Sequence, residues 1–96
     1  MTDLGGWRTE APVTEELKDI CLQVKPDIEK EVQTNFHFYI TKSFKLQVVG
    51  GINYLVKVHV GEDVCVHAMI FQDFHKNLTV TGVEYPKTLS EPLVPF

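Results

Sequence analysis

From Phe44 to Ile70 apolar residues recur at every second position, a period that admits little besides paired strands. Ile52, Tyr54, Val56, Val58 and Val60 share one face of an extended run, and Val64, Val66, Ala68 and Ile70 share one face of the next. An earlier run opens with Phe36, Phe38 and Ile40 and continues through Phe44, Leu46 and Val48, while Leu78, Val80 and Tyr85 mark a fourth. Gly61-Glu62-Asp63 carries the turn signal between the middle two. A three-residue loop there pairs Val60 with Val64 and Val58 with Val66, which keeps both apolar sets on one side. A two-residue loop would set apolar against polar faces, because a slip of one residue inverts every side chain. The pattern predicts a four-stranded antiparallel meander.

Ahead of the strands the period changes. Leu17, Ile20, Cys21, Val24, Ile28 and Val32 recur every three or four residues, as one stripe of a helix. Thr14 is placed to cap it, and Glu15 and Glu16 fall in the first turn, where the helix dipole favours negative charge. Pro26 sits inside the stripe, lacks a backbone donor and clashes one turn back, at a cost of about 3 kcal/mol in an unbroken helix. A kink near Val24-Lys25, or two shorter helices, is expected. Residues 1–12, with Gly5, Gly6 and Pro12, read as an extended and mobile arm. One helix whose apolar stripe covers the valine face of the meander is an α+β domain.

The chain has 96 residues, the size of one domain with one modest core. Its net charge of -4 gives no support to a nucleic-acid role. No apolar stretch approaches the roughly 20 residues that span a bilayer, so no membrane role is expected. No basic and then apolar leader is visible at Met1-Thr2-Asp3-Leu4, and a cytoplasmic protein with both Cys21 and Cys65 reduced is expected.

The most unusual local feature is Gln47-Val48-Val49-Gly50-Gly51, where the meander turns from its first long run into its second. Hairpin tips are normally polar, so that water can satisfy their backbone. Two valines leading into two glycines make an apolar tip, and such exposure usually marks a contact surface. At this point the chain resembles the stefins, or type 1 cystatins, which are reversible inhibitors of papain-like cysteine proteases such as cathepsins. Their central motif is Gln-Val-Val-Ala-Gly, and this chain matches four of the five positions, with Gly50 in place of alanine. The resemblance extends through Gly5-Gly6, Val24-Lys25-Pro26, Asn53-Tyr54, Val58-His59-Val60-Gly61 and the terminal Phe96.

The resemblance implies a cystatin-like fold, one helix wrapped by a four- to five-stranded antiparallel sheet. It also implies a wedge of three segments that fills a protease cleft without chemistry. The trunk maps to Leu4, Gly5 and Gly6, with Leu4 supplying an apolar side chain and the glycines a close backbone approach. The first hairpin maps to Gln47, Val48, Val49, Gly50 and Gly51. The second maps to Gln72-Asp73-Phe74-His75-Lys76-Asn77, which is shorter than in stefins and lacks their Leu-Pro pair. There Phe74, with His75 beside it, either supplies the apolar contact or folds back onto the core. Trp7 either meets the enzyme or packs on its own domain.

No cofactor is expected, and no catalytic or metal residue is assigned. Cys65, His59 and His67 share a strand face opposite the valines, but three positions on an open, solvent-facing sheet make neither a pocket nor a zinc site. The rival to inhibition is a non-inhibitory binding module of the same fold, prompted by Gly50 and the short second loop; an enzyme using Cys65 ranks below it. A monomer is expected. Opening of the first hairpin, as the resemblance implies, would permit a domain-swapped dimer.

Overall fold

The helices begin where a side chain supplies a missing acceptor. In the computed structural model, which describes residues 6–96, Thr14 is the N-cap of α1 (Glu15–Gln23), and its hydroxyl accepts the Leu17 N–H at 3.2 Å. The expected break falls at Val24, which ends α1 and opens α2 (Lys25–Val32). Pro26 lies in the first turn of α2, where its missing N–H would have had no partner. The two helices stay joined through Val24, whose N–H donates to Ile20 O at 3.2 Å and whose carbonyl accepts from Ile28 at 3.0 Å.

Five antiparallel strands follow one another across a single sheet: β1 (Ala11–Pro12), β2 (Ile40–Val49), β3 (Gly51–Gly61), β4 (Val64–Gln72) and β5 (Leu78–Lys87). The arm read as extended is tied along β2, with Ala11 opposite Phe44 and Pro12 opposite Ser43.

Two expectations about the strands need correction. Residues 36–39 are not part of a strand, and a bulge between Thr41 and Ser43 inverts the alternation. Thr41 therefore turns inward, while Phe38 and Ile40 are 44% and 45% exposed. The second concerns the turn at Gly61, which is two residues long, with Gly61 opposite Val64. The expected Val58–Val66 pairing survives because an irregularity between His59 and Gly61 leaves Val60 without a partner. One extra residue in the strand does the work assigned to a longer loop.

Leu17, Ile20, Cys21, Val24 and Ile28 pack on Phe44, Tyr54, Val56, Val58, Val66, Ala68 and Ile70 as one core. Since α1 rests on β2 and α2 on β5, the jointed helix crosses the width of the sheet.

The opposite face is not open to solvent, against expectation. The C-terminal segment, residues 88–96, folds back over it and buries Leu93 completely against Leu55 and Met69. Lys57 Nζ donates to Leu89 O at 2.8 Å, and Asp63 accepts the Leu89 N–H at 2.9 Å. Glu91 accepts the Thr88 N–H at 2.6 Å. Further along, the Phe96 ring fits against Gly82, where a Cβ would meet it at 2.9 Å. Among the described residues no helix is long and apolar enough to cross a membrane.

Candidate functional site

The first hairpin is as tight as a chain can make it. Val49 pairs with Gly51 and Val48 with Ile52, leaving Gly50 alone and exposed at the tip. Gln47 pairs with Asn53, whose side-chain amide donates to Gln47 Oε1 at 2.8 Å and steadies the stem. Gly51 must be glycine on two counts. Its φ is +132°, and a Cβ would stand 2.5 Å from Gln72 O and 2.8 Å from the Phe71 ring. That absence of a side chain seats the start of β3 against the end of β4, where the second hairpin begins. Gly50 is different: a methyl there would meet nothing within 4 Å. The fold does not require glycine at the position where stefins carry alanine.

The second hairpin is shaped by Asp73. Its carboxylate accepts the backbone N–H groups of His75 at 2.9 Å and Asn77 at 2.8 Å, and the Asn77 side-chain amide at 3.1 Å. Lys76, at φ 67°, closes the loop by donating to Asp73 O at 3.0 Å. These donors, the Asn77 N–H foremost, hold the Asp73 carboxyl below its ordinary range. The geometry turns Phe74 outward: its side chain is 82% exposed, with His75 exposed beside it. Of the two alternatives for Phe74, the structure selects the one that leaves the core.

The trunk approaches from the other side. Trp7 forms an antiparallel bridge with Gln47, and Arg8 N–H donates to Leu46 O at 2.9 Å. Gly6 is exposed, and Leu4 and Gly5 lie outside the described residues. Trp7 itself packs against the cluster that Leu55, Met69 and Leu93 form.

Register brings the pieces together. Trp7 borders Gln47, Val48 faces Ile52, and Ile52 faces Gln72, which pairs with Leu78. The trunk's first described residues, the first tip and the second tip therefore lie side by side at one end of the sheet, with the Gly61 turn at the other. Among the described residues, this end offers the exposed Phe74 ring and bare backbone at Gly50, with polar side chains such as His75 and Lys76 around them. Such a shape can occupy a groove, and among the described residues here there is no cysteine or serine.

The thiols and imidazoles lie elsewhere. Cys65 faces His59, and His67 faces Lys57, on the side covered by the C-terminal segment. Cys65 is wholly buried, and burial pushes its thiol up, away from the nucleophilic thiolate. Cys21, in the main core, is pushed up to about 11 by the same cause. His67 is buried with Nε2 unpartnered. Burial first, and then Lys57 and Lys87, hold its imidazole below 6.5. Among the described residues no group of three or more His, Cys, Asp or Glu could hold a metal ion. The expectation of a solvent-facing surface here is overturned, though the conclusion that Cys65 is no nucleophile rests on firmer ground. What the residue pattern missed is the seat of Trp7; the apolar Leu93 was its only signal.

A family model described as the cystatin domain matches residues 6–83. Cystatin-A1 of Sus scrofa is 34% identical over 95 residues, covering 96% of this chain and 92% of that protein. Cystatin-A of Mus musculus is 33% identical over 94 residues, covering 96% and 97%. Cystatin-B of Macaca fuscata fuscata is 40% identical over 75 residues, covering 77% and 76%.

Proposed function

This chain belongs to the cystatin family of cysteine protease inhibitors, and we propose that it blocks papain-like enzymes, cathepsins among them, by wedging one end of its sheet into their cleft. It is an inhibitor and not an enzyme. The wedge comprises Leu4, Gly5 and Gly6 of the trunk, Gln47 through Gly51 of the first tip, and Phe74 with His75 of the second. The observation that carries this reading is the outward Phe74, 82% exposed on the same sheet end as the apolar first tip. A large ring held in water by a hydrogen-bonded loop serves a partner better than it serves the fold. Because no bond to the enzyme is made, inhibition is competitive and reversible. Interfaces of this wedge kind are expected to fall in the standard size class, in which protease–inhibitor pairs reach high affinity.

Residence in the cytoplasm, with both thiols reduced, is part of the same reading, supported by two buried free cysteines. So is a monomeric active form. A swapped dimer that opened the first hairpin would lose the tip, and light scattering on the eluted protein distinguishes the two.

The test is a titration of papain with the purified monomer against a fluorogenic peptide. Stoichiometric, reversible loss of activity at nanomolar concentration supports the wedge. A folded protein that leaves papain active at micromolar concentration overturns it in favour of a non-inhibitory binding module. Removing residues 1–5 is expected to speed dissociation more than it slows association.

A further inference from the structure

The wedge needs its trunk held in place, and the residue that holds it is visible. Trp7 is the first described residue with a seat on the sheet: its backbone bridges Gln47, and its side chain packs against the cluster that Leu55, Met69 and Leu93 form. That cluster joins β3 and β4, through Leu55 and Met69, to the C-terminal segment, through Leu93. Leu93 is fully buried, and its segment is fastened upstream by Lys57 to Leu89 O and by Leu89 N–H to Asp63. A line of packing thus runs from the C-terminal segment through Leu93 to Trp7, and ends beside the first tip. Nothing in it depends on a protease.

We propose that Trp7 is a positioning residue for inhibition: seated against the Leu55, Met69 and Leu93 cluster, it fixes the point on the sheet from which the chain before it departs. This rests on the wedge reading above and adds to it an anchor behind the contact surface. The physical reason is preorganisation. A trunk that leaves from a fixed point has less freedom to lose on binding than one hinged further along the chain. Trp suits the seat because it brings a large, rigid ring with few torsions. The bridge to Gln47 carries no side-chain preference, so without the ring the backbone pairing alone would have to hold the trunk's exit point.

The experiment is a double-mutant cycle on dissociation from papain. Four proteins are compared: the full chain, Trp7→Ala, a chain lacking residues 1–5, and the two changes together. In the full chain Trp7→Ala is expected to raise the dissociation rate about tenfold, the loss of one preorganised segment. In the chain lacking residues 1–5 the same substitution is expected to change the rate less than about twofold, because there is no trunk left to aim. Trp7→Phe, which keeps a ring on Leu93, is expected to restore the full-chain rate to within about threefold. Equal effects of Trp7→Ala in both backgrounds would mean that the indole touches the enzyme directly, and would overturn the proposal. So would an unchanged rate in the full chain. Failure of the unmodified protein to inhibit papain would instead overturn the wedge reading itself, and is seen before any variant is made.

Discussion

Gly50 and Gly51 are neighbours in one turn, yet replacing each by alanine is expected to have opposite effects. At Gly51 the new Cβ would lie 2.5 Å from Gln72 O, a backbone atom that cannot swing aside, and 2.8 Å from the Phe71 ring. The backbone is also at φ +132°, a conformation that costs a residue with a side chain about 1–3 kcal/mol. Relieving the overlap by shifting β3 from β4 adds about 1–3 kcal/mol, as overpacking generally does. Gly51→Ala is therefore expected to lose about 2–6 kcal/mol, or roughly 10–30 °C in melting temperature for a domain of this size. Gly50 has no positive φ and nothing within 4 Å of a Cβ. There alanine narrows the unfolded ensemble at no cost to the fold, a gain of about 0.4–1 kcal/mol. Urea unfolding of both variants, with slope and midpoint fitted together, measures the difference. A Gly51→Ala protein within about 0.5 kcal/mol of the unmodified chain, the range of indifferent surface changes, would refute the close-approach argument.

The other predictions concern single side chains. Phe74→Ala is expected to leave stability within about 0.5 kcal/mol while weakening papain inhibition about tenfold; a large fall in unfolding midpoint would put the ring in the core instead. Leu93→Ala, at a fully buried position, is expected to cost about 2–5 kcal/mol in urea unfolding. His67 is kept neutral in the folded protein by burial and by Lys57 and Lys87, with Glu84 and Glu91 opposing, while the unfolded imidazole takes its proton near 6.5. The unfolded state thus binds more protons as pH falls through 6.5. Stability drops there and levels off only below the folded value. His67→Leu is expected to flatten that stretch of the stability–pH curve, and an unchanged slope would remove His67 as its cause.

Much of this was legible because its causes are local. Thr14 caps the helix that begins at the next residue, Pro26 breaks the turn before it, and the alternation of Val56, Val58, Val64 and Val66 places them on one face whatever lies beyond. The bulges were hidden: a strand gains a residue at Lys42 or Val60 with no change in residue type to announce it, and only the partner strand shows the slip. The covered second face was hidden for a different reason. Leu89, Leu93 and Phe96 stand at i, i+4 and i+7, but Pro92 and Pro95 among them rule out a helix, so they read as a tail. At the candidate site the tip motif was plain, but the direction of Phe74 depends on how Asp73 bonds across to Asn77. Trp7 was undecidable until Leu93 was in place beneath it.

The plain order of the sheet has a consequence for how the molecule is assembled. From β2 to β5 each strand lies beside the one before it in the chain, so those pairings close short loops, whereas β1 meets β2 only across both helices, Ala11 against Phe44. The jointed helix and the meander can form piece by piece as neighbours meet. Two parts cannot: the C-terminal segment has nothing to lie on until β3 and β4 are paired, and the Trp7 ring has no complete seat until Leu93 is down. The segment around Trp7 is thus expected to settle only after the strands and the C-terminal segment beneath it.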